Sequence, residues 1–227
     1  MARTVTAKRI LMAFAAVVLI FSFYCMSWFL LSCNISVRGD GLIHVACVGD
    51  SITAGSGYPE TLQDLLGEGF KVGNFGVSGS SVMLTSGLPY MKQSEFLEAK
   101  AFHPVIVVVM LGTNDAKENV TESINTFQAD YKQLVNAYAA LENNPTVWLV
   151  KPPPIFENTL DLNNTLLRQY IVPCIQDVAN DLNLPTIDLN TALTGYPEYF
   201  MDGVHPGNDG AMAIATEINQ AITFNKA

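Results

Sequence analysis

The segment PVIVVVML, residues 104–111, limits the possible folds of this chain more than any other stretch. It is uncharged and nearly all apolar and β-branched, so it reads as a strand that needs cover on both faces. A strand of that kind belongs in the middle of a parallel sheet flanked by helices. The chain from residue 42 onward supplies the rest of such a fold by alternation. LIHVACV, residues 42–48, is a short apolar run ending at Gly49. Residues 59–67 predict a helix, with Pro59 in its first turn, Leu62, Leu65 and Leu66 on one face and Gly67 at its end. KVGNF, residues 71–75, is a weaker strand, and residues 90–101 predict a helix. Ile124, Phe127, Tyr131, Leu134, Tyr138 and Leu141 step by three and four, the stripe of a helix lying on a sheet, and Asn119 with Glu122 fits its capping box. TVWLVK, residues 146–151, is a strand stopped by Pro152, Pro153 and Pro154. Residues 163–182 carry Leu166, Leu167, Tyr170, Ile171, Ile175 and Val178 at helical spacing, with Pro173 expected to kink or split the helix. A short strand at 185–189 and a helix at 208–222 complete the series. This alternation predicts an αβα fold, with functional groups beyond the carboxyl ends of the strands.

Polar motifs follow the predicted strands. Gly49-Asp50-Ser51-Ile52-Thr53 places a serine on a strand-to-helix turn, although Thr53 stands where the GxSxG elbow has glycine. Asn74-Phe75-Gly76-Val77-Ser78-Gly79-Ser80-Ser81 is a small-residue loop that lets a ligand approach the backbone, but it lacks the spacing of a nucleotide loop. Gly112-Thr113-Asn114-Asp115 could aim an Asn amide into a cleft or simply form an Asx turn. Asp202-Gly203-Val204-His205-Pro206 precedes the last helix. Of the three histidines, His44 and His103 fall at strand starts, the far end of the sheet, which leaves His205 as the imidazole base. Asp202, three residues earlier, could bond its Nδ1–H and fix the tautomer.

Taken together, GDSIT, NFGVSG, GTND and DGVHP resemble, in order and spacing, the four sequence blocks of SGNH (GDSL-type) hydrolases, and the resemblance spans residues 42–222. It implies a three-layer, flavodoxin-like fold with five parallel strands in the order 2-1-3-4-5. It also implies Ser51 as nucleophile, Asp202 and His205 as its triad partners, and an oxyanion hole built from the Ser51 N–H, the Gly79 N–H and the Asn114 side chain. Gly79 rather than Gly76 is taken as the glycine of the second block. No metal or organic cofactor is expected.

YPETLQDLLG, VGNFGVSGSS, the proline-rich segment after the fourth strand and DGVHP resemble bacterial carbohydrate O-acetylesterases, including sialate-type members. The absence of a long lid insertion suits a short acyl group on a bulky alcohol, and so a small-molecule or glycan ester as substrate. A lysophospholipase or thioesterase is the alternative, acyl transfer to a sugar is another outcome, and a glycan-binding module without catalysis is the reading from a different class. Nucleic acid is excluded as a partner by the net charge of −9 and the lack of a basic stripe.

Hydrophobic residues make up 49 % of the chain, and much of that excess lies in residues 10–31, an uncharged run long enough to cross a bilayer. Arg3, Lys8 and Arg9 precede it, which places the N-terminus in the cytoplasm and the domain outside. The expected organisation is therefore a cytoplasmic stub and membrane anchor over 1–31, a linker over 32–41 and the hydrolase domain over 42–227. Leu30-Leu31-Ser32-Cys33 also resembles a lipoprotein signal, with Cys33 as the lipidated residue. The sequons at Asn34, Asn119 and Asn163 matter only in a eukaryotic secretory route. Cys25, Cys33, Cys47 and Cys174 show no CxxC or metal spacing, and Cys47 and Cys174 read as small apolar residues.

Overall fold

The structure is a computed structural model that describes residues 40–117 and 124–224. The expected anchor, most of the linker, Cys33, the sequons at Asn34 and Asn119 and the Asn119–Glu122 capping box lie outside the described residues.

Five strands form one parallel sheet: β1 (Ile43–Gly49), β2 (Phe70–Gly76), β3 (Ile106–Met110), β4 (Thr146–Lys151) and β5 (Thr186–Asp188). Their order is β2-β1-β3-β4-β5, as the resemblance implied. Val45 pairs with both Val72 and Ile106, so β1 and β3 occupy the middle. All five residues of β3 are buried, which is why its sequence has no polar alternation. The pleat sends Val107 and Val109 to one face and Ile106, Val108 and Met110 to the other, where each set joins a separate core. On the first face lie α3 (Ser94–Ala101), α4 (Ile124–Ala139) and α5 (Val172–Leu182), through Phe96, Phe127, Tyr131, Tyr138, Ile175 and Val178. On the second lie α2 (Tyr58–Leu66) and α7 (Asn208–Phe224), through Tyr58, Leu62, Ile214, Ile218 and Ile222. Two shorter helices, α1 (Ser51–Gly55) and α6 (Leu189–Ala192), begin directly after β1 and β5.

Four local expectations are corrected. The helix expected over 90–101 is a 3-10 turn at Tyr90–Lys92 followed, past the extended Gln93, by α3. Tyr90 is held by the loop after β2, since its N–H donates to the Ser81 carbonyl (2.9 Å) and its hydroxyl to that of Phe75 (2.7 Å). Pro173 does not split its helix. A π turn at Leu167–Ile171 precedes it, and the Val172 N–H reaches back to the Leu167 carbonyl, which widens the helix where proline would crowd it. The added residue rotates the helix face, so Tyr170 is half-exposed rather than in the core stripe. Leu65 likewise turns outward, away from Leu62. Cys47 is a buried free thiol and Cys174 a partly buried one. Burial pushes the Cys47 thiol up to about 12, in keeping with a small apolar residue.

Candidate active site

The site stands where the carboxyl ends of β1, β2 and β3 meet the loop before α7. Strand β1 ends at Gly49, where a Cβ would come within 1.9 Å of Thr53 Oγ1; Gly76, at the end of β2, would put one 2.2 Å from the Ala54 amide nitrogen. Only glycine at both positions lets α1 sit this close to the sheet. Asp50 caps α1 by accepting the Ile52 N–H on Oδ1 at 3.0 Å, and this leaves Ser51 as the first helical residue, half-buried at the rim.

The Asp202–His205 segment is a tight turn tied down on several sides. Asp202 Oδ1 accepts the backbone N–H groups of Val204 (3.0 Å) and His205 (2.7 Å). The Met201 N–H donates to the His205 carbonyl at 3.2 Å, and Phe200 bridges to Pro206. Gly203 has φ +82°, and a Cβ there would meet the Glu157 carbonyl oxygen at 2.1 Å. That carbonyl belongs to the segment after β4, which also donates the Phe156 N–H to the Gly203 carbonyl at 2.8 Å.

These constraints deliver a continuous chain of polar atoms. His205 Nε2 lies 2.8 Å from Ser51 Oγ, and His205 Nδ1 lies 2.7 Å from Asp202 Oδ2. Residues 154 positions apart in the chain are thus in hydrogen-bond contact. Because Asp202 Oδ2 is a carboxylate oxygen, Nδ1 carries the proton toward it, and Nε2 is left as acceptor for the serine hydroxyl. Partial desolvation would raise the Asp202 carboxyl, but the His205 and Val204 N–H groups and the imidazole outweigh it and hold the carboxyl down at about 2. His44 stays at the other end of β1, buried between the Phe102 carbonyl (2.8 Å) and Asp40 (3.0 Å). His103 lies at the same end, before β3, with φ +52°.

The remaining expected residues gather around Ser51. Gly79 has φ +79° and is exposed, and among the described residues neither its N–H nor that of Ser51 meets an acceptor. Gly76, by contrast, donates its N–H to Asn74 Oδ1 at 3.1 Å. Asn114 donates one amide hydrogen to the Ser80 carbonyl at 2.9 Å, which fixes the side chain and leaves its second hydrogen for a ligand. A cavity of about 360 Å³ adjoins Gly79 and Asn114, lined further by Ser81, Met83, Leu88 and Lys117.

Three buried polar groups next to these residues carried no expectation from sequence. Asp50, Ser80 and Thr113 precede or follow Ser51, Gly79 and Asn114 directly, and all three are buried. Asp115, also wholly buried, accepts backbone N–H groups from Val82 and Met83. Its only signal in the sequence was its place in GTND; its partners lie 32 and 33 residues away.

A flavodoxin-like sheet that lines up a serine hydroxyl, an imidazole and a carboxylate on its rim has the architecture of the SGNH hydrolases. Residues 47–213 match the GDSL-like Lipase/Acylhydrolase family. The chain belongs to that family, a family of carboxylic ester hydrolases. It is 34 % identical over 215 residues to an acetylxylan esterase of Xylanibacter ruminicola, with 83 % of the chain covered. The chain spans 45 % of that relative's length. Among solved structures it superposes on a lipase/acylhydrolase from Enterococcus faecalis with a TM-score of 0.67 at 24 % identity, covering 81 % of this chain and 97 % of that one. It also superposes on Est24, a carbohydrate acetylesterase from Sinorhizobium meliloti, with a TM-score of 0.66 at 18 % identity, covering 81 % and 99 %. At these identities the two structures speak for the fold.

Proposed function

We propose that this chain is a serine esterase that removes short acyl groups, chiefly acetyl, from carbohydrates. The observation that carries this reading is the contact series from Ser51 Oγ through His205 to Asp202, set among N–H groups that meet no acceptor among the described residues. In the first step His205 Nε2 takes the Ser51 proton as Oγ attacks the ester carbonyl. The carbonyl oxygen becomes an oxyanion, received by the N–H groups of Ser51 and Gly79 and the free amide hydrogen of Asn114. The imidazolium, steadied by Asp202, returns the proton to the departing alcohol. Water then attacks the acyl-enzyme with His205 again as base, releasing the acid and restoring the serine.

Short acyl groups and a sugar alcohol are favoured by two findings. One is the kinship with a protein named acetylxylan esterase. The other is the cavity beside Gly79 and Asn114, whose lining includes Ser81, Thr85, Ser86 and Lys117 besides Met83 and Leu88. A long acyl chain prefers a continuous apolar wall, and this lining does not offer one. The apolar run over residues 10–31 supports a tether that holds the domain on the outer side of a membrane, either as an uncleaved anchor or through a lipidated Cys33. The full chain in detergent is expected to release acetate from acetylated xylan or acetylated oligosaccharides, to bind a fluorophosphonate probe, and to partition with membranes on fractionation. Preference for long-chain esters would instead favour a lysophospholipase or thioesterase. Failure to react with the probe would point to a binding module.

Asn114→Ala removes one oxyanion donor and the tie to Ser80. Turnover of p-nitrophenyl acetate is expected to fall by about 10²–10³ with the fold retained. Wild-type turnover would remove Asn114 from the oxyanion hole.

A further inference from the structure

We propose that Asp115 is a positioning residue for the oxyanion hole, its buried carboxylate joining the loop that carries Gly79 to the loop that carries Asn114. The inference rests on the esterase reading above and deepens it.

The geometry is specific. Val82 donates its N–H to both oxygens of Asp115, at 3.1 and 3.0 Å, and Met83 donates to Oδ1 at 3.0 Å. The next amide, Leu84, donates to Asp130 Oδ2 on α4 at 2.9 Å. Three consecutive amides of the loop after β2 are therefore held by two carboxylates. The neighbouring residues complete the clamp, because the Asn114 side chain donates to the Ser80 carbonyl. Residues 114 and 115 thus grip residues 80, 82 and 83, one as donor and the other as acceptor. The distance between the Gly79 N–H and the Asn114 amide depends on that grip. Hydrogen bonds from N–H groups to a carboxylate are the stronger kind, and burial strengthens them further.

A carboxyl in this position has a second consequence. Asp115 is wholly buried, and desolvation, opposed by the Val82 and Met83 N–H groups and reinforced by the charge of Asp50, pushes it up to about 7. The groups facing it come from each element packed around it. Asp50 stands at the end of β1, itself buried and pushed up to about 6, with the His205 charge acting on it. Tyr131 and Asp130 come from α4; Tyr131 has its hydroxyl buried without an acceptor among the described residues, and Asp130 holds the Leu84 amide. Lys117 follows on the same segment. Protonating Asp115 takes away acceptor capacity that three N–H···O contacts use. The loop then loosens, and the two oxyanion donors lose their spacing.

The signs of two pH dependences follow, and they oppose each other. A carboxyl raised in the folded state contributes stability that is full below its unfolded value, about 3.9, and is lost as pH rises through about 7. Activity needs the carboxylate and so rises over the same window. The acid limb of kcat therefore carries the protonation of Asp115.

The test compares wild type, Asp115→Asn and Ser51→Ala, each as the full chain in detergent, on p-nitrophenyl acetate. Asparagine keeps one acceptor oxygen but turns an NH2 toward the Val82 amide. Asp115→Asn is expected to lower kcat on the order of 10²-fold, as a misplaced reacting group does, with KM little changed. Its acid limb is expected to lose the step near pH 7 that Asp115 contributes, and its Tm to vary less between pH 4 and 8. Wild-type kcat and an unchanged acid limb would overturn the role of Asp115. If Asp115→Asn does not fold, the Val82 and Met83 amide resonances of the wild type are followed through the acid limb. A midpoint shared with kcat supports the proposal, and amides that stay flat there overturn it. An active Ser51→Ala would instead overturn the esterase reading itself, so the two failures are told apart.

Discussion

Ser51→Ala is expected to lower ester turnover by about 10⁶-fold and to abolish fluorophosphonate labelling, while the protein remains folded. The size follows from what the substitution removes. In the proposed mechanism Oγ attacks the ester and its proton passes to His205 Nε2, 2.8 Å away. Removing the nucleophile or the base of such a unit costs nearly as much as removing all of it, because neither has a use without the other. Catalysis of about 10³–10⁴ over water persists through the oxyanion donors, which the substitution leaves in place. The fold tolerates the change. Ser51 is the first residue of α1, where alanine is a good helix former, and Asp50 still accepts the Ile52 N–H. The one side-chain bond lost, to a half-exposed imidazole, is worth about 1 kcal/mol, so Tm should move by a few degrees at most. Residual turnover within about a hundredfold of wild type would show that another group attacks the ester.

The sheet was legible in the sequence because β3 is buried on both faces and β4 nearly so. Strands of that kind show as uninterrupted apolar runs, and their spacing by helical stripes leaves few topologies. Local errors arose where tertiary contacts outweigh pattern. Tyr90 carries helical-looking neighbours, yet its N–H and hydroxyl are claimed by Ser81 and Phe75. Tyr170 has the right spacing for the core, yet the π turn that accommodates Pro173 rotates it outward. A periodicity count assumes 3.6 residues per turn throughout, and it fails where the helix widens.

The candidate site was legible for a different reason. Each of its groups sits in a short motif directly after a strand or before a helix, and a parallel sheet brings all strand ends to one rim. The contact of Ser51 with His205 therefore follows from topology and needs no long-range pairing signal. The support beneath it was not legible. Asp115 reads as the end of GTND, but its partners are the backbone amides of Val82 and Met83, and backbone groups leave no trace in sequence. Asp50 carried no expectation beyond its place in GDSIT, and both its capping of α1 and the burial that raises its carboxyl come from the fold.

Asp202→Asn is the second large effect, and the structure gives its direction. Asp202 Oδ1 accepts two backbone N–H groups, from Val204 and His205, whereas Oδ2 faces His205 Nδ1. In asparagine the oxygen must stay on the two amides, because an NH2 there would oppose two donors. The NH2 therefore faces Nδ1 and requires it to be unprotonated. The proton moves to Nε2, and His205 then points a donor at Ser51 Oγ where an acceptor is needed. Turnover is expected to fall by about 10³–10⁴. The lower end is favoured because the His205 and Asp202 side chains are 40 % and 48 % exposed, so water can partly take over support of the imidazolium. Stability supplies an independent readout. The Asp202 carboxyl is held at about 2, so its contribution is present above the unfolded value, about 3.9, and is lost as pH falls through about 2. Wild type should therefore lose Tm between pH 4 and 2 to a degree that Asp202→Asn does not. Turnover within about tenfold of wild type, with the same acid dependence of Tm, would show that Asp202 neither sets the tautomer of His205 nor titrates against it.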